Sequence, residues 1–351
     1  MLFGEYSVLE GAPALLVGTA QKAEAQFYPF EHPTAMMKRS EATALFDQAS
    51  HLHATPRYLI DGVQLGYSLI SLDSNGDDFL TTGENFELIR EALICLNAPA
   101  GLYQIDTSRF GVYQGEEWVK MGIGSSGAAT ASLIDLFGRS STKKGDGGHH
   151  LETKEGRFKF ACEVHTRGQG GLGSGADVAT SVYGGLIKYQ RSSGYWARVI
   201  PIRQSLPNTW GIWRGGSTST VRALRSLASW RSANESSYQS LMKRLSEPTL
   251  IALDALESPQ VCKAQWIEAV TLGAQVMREF SAETGIHAWT ERHEQWSSLI
   301  KPLGGVLKPT GAGGDDLSLF TADSAESAKR CLERLKQHSL ECGEQLLSFA
   351  L

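Results

Sequence analysis

Lys120-Met121-Gly122-Ile123-Gly124-Ser125-Ser126-Gly127-Ala128-Ala129-Thr130-Ala131 sets a basic residue ahead of two glycines spaced one apart, then two hydroxyls and a run of small helix formers. That is the chemistry of a phosphate cradle. Glycine lets the backbone turn sharply and approach an anion closely. The helix that follows offers amides without helical partners and the positive end of its dipole. Ser125 and Ser126 could donate to phosphate oxygens, and one could ligate magnesium. The spacing matches neither G-x-x-x-x-G-K-[ST] nor G-x-G-x-x-G, so the P-loop and dinucleotide fingerprints do not apply. The same residues also fit an ordinary Gly/Ser turn capping a core helix.

Two further glycine clusters carry different polar cargo. Gly168-Gln169-Gly170-Gly171-Leu172-Gly173-Ser174-Gly175-Ala176-Asp177-Val178-Ala179 places one carboxylate, Asp177, where a tight turn runs into a helix. A carboxylate there is ordinarily a cap or dipole partner. It could instead be a general base taking a proton from an attacking group, as aspartate does in phosphoryl transfer. Lys308-Pro309-Thr310-Gly311-Ala312-Gly313-Gly314-Asp315-Asp316 is the third cluster. It reads either as a close-packed turn or as backbone approaching a substrate.

These residues resemble a known family. Gly4-Glu5-Tyr6-Ser7-Val8-Leu9, the Lys120 to Ala129 loop and Lys308 to Asp316 are similar to the three signature motifs of the GHMP kinases (galactokinase, homoserine, mevalonate and phosphomevalonate kinases), in the family's order and near its spacing. Gly173 to Ala179 with Tyr183-Gly184-Gly185, Lys120, Gly127 and the Gly216-Ser217-Thr218-Ser219-Thr220 run are most similar to the phosphomevalonate kinases within it.

The resemblance implies an α+β fold in two domains. Residues 1–203 would form an ATP-binding half like domain 2 of ribosomal protein S5. Residues 204–351 would form a ferredoxin-like half, with the active site in the cleft between them. It also implies ATP-dependent phosphorylation of a small phosphorylated acceptor to mevalonate 5-diphosphate, with ATP and Mg2+ as cofactors. Gly122, Gly124, Ser125, Ser126 and Gly127 would hold the nucleotide phosphates, with Ser126 near the metal. Lys120 would neutralise phosphate charge and Asp177 would orient or deprotonate the acceptor. Glu5, Tyr6, Ser7, Gly173, Ser174, Ser217, Thr218, Gly311, Ala312 and Gly313 would line the acceptor side. Mevalonate kinase, another small-alcohol kinase of the family, and a non-catalytic nucleotide-binding protein are the alternatives.

There are two departures from the family pattern. Its members carry a lysine a few residues ahead of the Gly-Glu-Tyr segment, and only Met1 to Phe3 precede Gly4 here. A chain start lying upstream is the expectation; the alternatives are a substitute cation such as Lys22, Lys120, Arg109 or Arg214, or a poor catalyst. Asp315 stands where the third motif usually has glycine, adding a carboxylate near anionic substrates.

Composition narrows the rest. The chain has 351 residues, 42% hydrophobic and 20% charged, enough for a large core and two domains. A formal net charge of -5 gives no electrostatic case for nucleic acid or an anionic membrane. No apolar run reaches a membrane span and no signal-peptide pattern opens the chain. Cys95, Cys162, Cys262, Cys331 and Cys342 are scattered, as reduced thiols of a cytoplasmic protein would be, and no zinc site is expected. The expected partners are ATP and the phosphorylated acceptor, with a homodimer left open.

The coarse reading places strands over Ala20–Phe27, Gly101–Thr107, Ala197–Ile202, Trp210–Trp213 and Leu317–Phe320. Helices are read around Ala44–Phe46 and Tyr67–Ile70, and over Glu84–Leu96, Arg157–His165, Ser217–Trp230, Glu235–Leu256, Lys263–Glu283 and Ser324–His338. Asn75-Gly76-Asp77-Asp78 reads as a turn, and Gly138 to Gly156 as a polar surface loop.

Overall fold

Alternating apolar side chains, glycine punctuation and helix caps divide the chain into short strands and longer helices. The structure is a computed structural model. It describes residues 1–30, 40–63, 65–73, 75, 79–84, 86–138, 150–168, 173–192, 197–213, 215, 216, 218–314, 317–344 and 346–351, with backbone only at 40–42. In order, the elements are β1 (Pro13–Val17), β2 (Glu24–Pro29), α1 (Ser40–His51), β3 (Thr55–Gly62), β4 (Gly66–Leu72), β5 (Phe79–Gly83), α2 (Glu87–Cys95) and β6 (Gly101–Asp106). There follow β7 (Gly111–Gln114), β8 (Glu117–Lys120), α3 (Ser125–Gly138), α4 (Lys154–Gly168), α5 (Ala176–Tyr183), β9 (Leu186–Arg191) and β10 (Ala197–Ile202). The last part holds β11 (Thr209–Trp213), α6 (Thr220–Ala233), α7 (Glu235–Glu257), α8 (Lys263–Thr284), α9 (Glu291–Ile300), β12 (Gly305–Pro309), β13 (Ser318–Ala322), α10 (Ala325–Glu341) and β14 (Leu347–Ala350).

The chain divides into two compact units, one of residues 1–19, 113–123 and 172–351, the other of 20–112 and 124–171. The second unit holds a sheet in the order β2-β6-β3-β4-β5, antiparallel except for the parallel β3–β6 pair. Leu59, Leu69 and Leu102 cluster with Ala49 of α1. On the alternate positions, Tyr103 meets Phe137 of α3 at 6.0 Å and Tyr58 at 6.0 Å. A sheet with apolar side chains packed from both sets of positions loses the polar alternation of a half-exposed strand. That is why Tyr67–Ile70, read from the sequence as helical, is instead strand β4, paired with β3 through a tight Gly62–Gly66 turn.

The first unit contains an antiparallel β1-β9-β10 sheet and an antiparallel sheet in the order β12-β13-β11-β14. Counted along the chain, β11, β12, β13 and β14 take the order 2-3-1-4, with helices inserted after the first and third strands. That is the ferredoxin-like β-α-β-β-α-β arrangement. Its core is formed by the paired helices α7 and α8. Trp266, Leu253 and Val270 pack with Leu2, Phe3, Leu15 and Leu319, while Tyr6, Phe280, Trp296 and Phe320 belong to a second cluster. The buried indole of Trp266 donates from Nε1 to Thr209 Oγ1 at 3.0 Å. Ser324 caps α10 by accepting from the Ser327 amide at 3.1 Å, and Ala328, Cys331, Leu335 and Ser339 form its buried stripe. The 76–78 turn and most of the loop read between Gly138 and Gly156 lie outside the described residues.

Helix α9 was not anticipated. Its start is a capping box in which His293 occupies the place usually taken by Glu or Gln. His293 Nδ1 accepts from the Thr290 amide at 3.1 Å, so Nε2 carries the proton that reaches Ser318 Oγ at 3.2 Å. Burial, then the charges of Arg292 and Lys308, push the ring down from 6.5 to about 4. The neutral ring is therefore the native form. Its stabilisation is complete above pH 6.5 and is lost as pH falls from there toward 4. Urea unfolding should show roughly 2–3 kcal/mol less stability at pH 4.5 than at pH 7.5 from this residue. His293→Gln keeps an acceptor for Thr290 without titrating, and should remove that share of the acid sensitivity.

Candidate active site

The β8 strand ends at exposed Lys120, and the chain turns through Met121–Gly124 into α3. Gly124 has φ +85°, which only glycine adopts without strain, and its carbonyl accepts the Ala128 amide at 3.1 Å. The helix thus begins immediately after the turn, with Ser125 buried and Ser126 half-buried in its first turn. Thr130, also buried, donates its hydroxyl to Ser126 O at 3.0 Å. Gly122 and Gly127 lie on either side of this start. Amides at such a start have no helical acceptor and suit an anion.

In the first unit, Ser174 is held twice. Its hydroxyl accepts the Ala176 amide at 3.3 Å, and its carbonyl accepts the Tyr189 phenol from β9. Gly173 and Gly175 flank it at positive φ, and Gly175 is the residue before α5. Asp177 is therefore fixed as the second residue of α5, half-buried, in the first turn where the helix dipole favours a carboxylate. Its own carbonyl accepts the Ser181 hydroxyl at 2.7 Å. Of the second cluster, residues 169–172 lie outside the described residues.

The third cluster and the N-terminal segment are brought together. Lys308, 1% exposed, donates from Nζ to Glu5 Oε1 at 2.5 Å, Leu2 O at 2.8 Å and Pro309 O at 2.8 Å. Burial pushes this ammonium's pKa down, while the Glu5 carboxylate pulls it the other way. Tyr6 stacks on Phe280 with centroids 4.4 Å apart and donates its hydroxyl to Ala312 O at 2.7 Å. Its backbone stands at φ +59°, a costly region for an aromatic residue and a mark of an over-determined position. Ser7 is fully buried. Glu5, Tyr6 and Ser7 are thus interior side chains, the first committed to Lys308 and the second to the glycine loop.

The loop itself is braced from behind. Thr310 donates both its amide and its hydroxyl to Leu317 O, and the Gly314 amide donates to Ala288 O at 2.9 Å. A side chain at Gly314 would meet Thr218 Oγ1 at 2.4 Å, and one at Gly313 would meet Ala288. Gly311, at φ +62°, is the exception: nothing lies within 4 Å of where its side chain would be. Among the described glycines of this loop, Gly311 alone has open space on its Cβ side, where a group could approach. Thr218 is next to this loop, Ser219 caps α6 by accepting the Arg222 amide at 3.3 Å, and Ser217 lies outside the described residues.

No protein-family model matches the chain. It is 26% identical over 235 residues to a phosphomevalonate kinase of Streptomyces sp. (strain CL190), covering 60% of each chain. It is 26% identical over 277 residues to a phosphomevalonate kinase of Gibberella zeae, covering 66% of this chain and 59% of the relative. The matches therefore span about 60% of these curated relatives' length. A solved phosphomevalonate kinase of Streptococcus pneumoniae, in complex with phosphomevalonate and AMPPNP, superposes with TM-score 0.69 at 16% identity, covering 99% of this chain and 96% of that one. The chain has the GHMP kinase fold.

Within that fold the substitute cations differ in how they are engaged. Arg109 is exposed and 4.0 Å from Glu24, and Lys22 is exposed. Of the further cations that a phosphorylated acceptor would call for, Arg167 is bound to Glu163 at 2.5 Å and to Cys95 Sγ at 3.3 Å, and His165 is buried. Arg214, Asp315 and Asp316 lie outside the described residues. The residue that sequence reading passed over is Lys308, quoted in the third motif without a role. Its only signal was a lysine set within the apolar strand Val306-Leu307-Lys308-Pro309. Tyr6→Phe leaves the buried Ala312 carbonyl without its donor. Urea unfolding should record a loss of about 1–3 kcal/mol.

Proposed function

We propose that the chain is an ATP-dependent kinase that phosphorylates (R)-5-phosphomevalonate to mevalonate 5-diphosphate, in isoprenoid biosynthesis. The observation that carries the reading is the likeness to phosphomevalonate kinases in sequence, on a GHMP fold that spans nearly the whole chain. A phosphate oxygen of the acceptor attacks the γ-phosphorus. A new P–O–P bond forms, the bond to the β,γ-bridging oxygen breaks, and ADP leaves with that electron pair. The acceptor phosphate is already largely ionised near neutrality (second pKa about 6). Positioning and charge neutralisation therefore matter more than base strength.

The α3 start, Gly122, Gly124, Ser125, Ser126 and Gly127, would take the nucleotide phosphates, and Lys120 would offset their charge. Asp177, with Gly173 and Ser174 setting its turn, would orient the acceptor or take its last proton. Gly311, Ala312 and Gly313, with Ser217 and Thr218, would border the acceptor, while Glu5, Tyr6 and Ser7 would hold that loop from within. Among the described residues no group of three or more His, Cys, Asp or Glu could hold a metal ion. Magnesium would be carried mainly by nucleotide phosphates and water, with a hydroxyl such as Ser126 completing its shell. When bound, the ion would neutralise charge on the transferred group. The same reading takes residues 1–203 as the ATP-binding half and 204–351 as its C-terminal partner. It places the reaction in the cytoplasm and admits a homodimer. No described helix is long and apolar enough to cross a membrane.

ADP release should be measured with ATP and magnesium, offering mevalonate 5-phosphate, mevalonate, homoserine and galactose separately. Turnover is expected with mevalonate 5-phosphate alone, and Asp177→Asn should lower kcat by about a hundredfold to ten-thousandfold. Turnover only with mevalonate would replace the acceptor. Silence with all four from a protein that binds ATP would replace the activity.

A further inference from the structure

Lys308 stands in a signature motif beside the loop assigned to the acceptor, yet its ammonium cannot serve an anion. It has three N–H donors, and Leu2 O, Glu5 Oε1 and Pro309 O take one each. The Phe3 ring covers it at 4.9 Å, and that ring is in turn fixed edge-on to Trp266 at 5.5 Å. The role left to such a group is geometric. Pro309 is the last residue of β12, and the loop 310–314 departs from it. The ammonium therefore joins the root of that loop to the Leu2–Glu5 segment, 303 residues away in the chain.

Two costs converge on this position. A buried ion pair is seldom worth more to stability than apolar side chains of the same volume. The stem of Lys308 also needs a glycine in the middle of α8: a Cβ at Gly273 would stand 2.9 Å from both Lys308 Cδ and Cε. Glycine in a helix interior is itself destabilising relative to alanine. Both features fix where the β12 backbone and the N-terminal segment are held.

We propose that Lys308 is a positioning residue. Its buried ammonium, seated by Gly273 and paired with Glu5, sets the root of the 310–314 loop and so the placement of Gly311, the loop glycine with open space beside it, against the acceptor. The inference rests on the reading of this loop as the acceptor's.

Two variants test it. Gly273→Ala presses on the lysine stem while improving helix propensity, and the double variant Glu5→Met/Lys308→Met replaces the pair by apolar side chains of similar volume. Each is examined for unfolding, for kinetics against each substrate, and for amide hydrogen exchange in peptides covering 310–314. The expected result for both variants is a kcat/KM for the phosphorylated acceptor lower by between about tenfold and a hundredfold. The KM for ATP should be unchanged, and the faster exchange should be confined to the 310–314 loop. Gly273→Ala should do this with only a small fall in unfolding midpoint, because the gain in helix propensity offsets part of the overpacking.

Acceptor kinetics and loop exchange like wild type in both variants would overturn the proposal. So would exchange that rises evenly across the first unit with the midpoint lowered, the pattern of a merely structural pair. If the wild-type protein transfers phosphate to no acceptor, the proposed activity fails. Loop exchange then decides the role of Lys308 by itself: faster exchange confined to 310–314 supports it, unchanged exchange overturns it.

Discussion

A lysine ammonium and a glutamate carboxylate, 1% and 3% exposed, face each other at 2.5 Å inside the first unit. Neither could be buried alone, because an unpaired charge in a low-dielectric interior is far too costly. The pair therefore has to form together, and forming it draws the N-terminal segment onto β12. Around it the other constraints follow. Leu2 and Phe3 enter the core beside Trp266, Tyr6 is carried to Phe280 and Ala312, and the loop after β12 starts from a fixed carbonyl. The charge of Lys308 also reaches His293, one of the reasons its ring stays neutral. Cap, pair and loop thus belong to one electrostatic neighbourhood.

The three glycine clusters meet different demands. At the start of α3, the residue just before the helix takes a left-handed conformation, and Gly124 supplies it. Ahead of α5, Ser174 spends its hydroxyl and its carbonyl on holding Asp177's helix in place. In the third cluster Thr310, Gly313 and Gly314 are tied down, and left-handed Gly311 keeps open space beside it. Phosphoryl transfer relies on positioning and on preorganised charge more than on covalent participation of the protein. Loops braced from behind suit that chemistry.

Much of this was legible in the sequence, for a physical reason. Glycine marks backbone that no other residue can occupy, so the Gly122–Gly127, Gly173–Gly175 and Gly311–Gly314 loops announced themselves. Long amphipathic segments such as those over Glu235–Leu256 and Lys263–Glu283 were equally plain, because a periodic face needs no tertiary partner to be seen. Tyr67–Ile70 misled because a strand with apolar neighbours at both sets of positions shows no alternation. Helix α9 was missed because its capping box uses His293 where Glu or Gln is usual. The Lys308–Glu5 pair was invisible for a different reason: its partners are 303 residues apart, and local patterning carries no information about contacts at that range.

The proposed reaction makes a phosphoanhydride on an acceptor that already carries a phosphate. Phosphorus NMR of the wild-type protein with ATP, magnesium and (R)-5-phosphomevalonate tests it most directly, because it reports the bond formed. The account predicts that the acceptor's phosphomonoester singlet is replaced by two mutually coupled diphosphate doublets as ADP accumulates. A new phosphomonoester singlet, or inorganic phosphate with the acceptor unchanged, would contradict it.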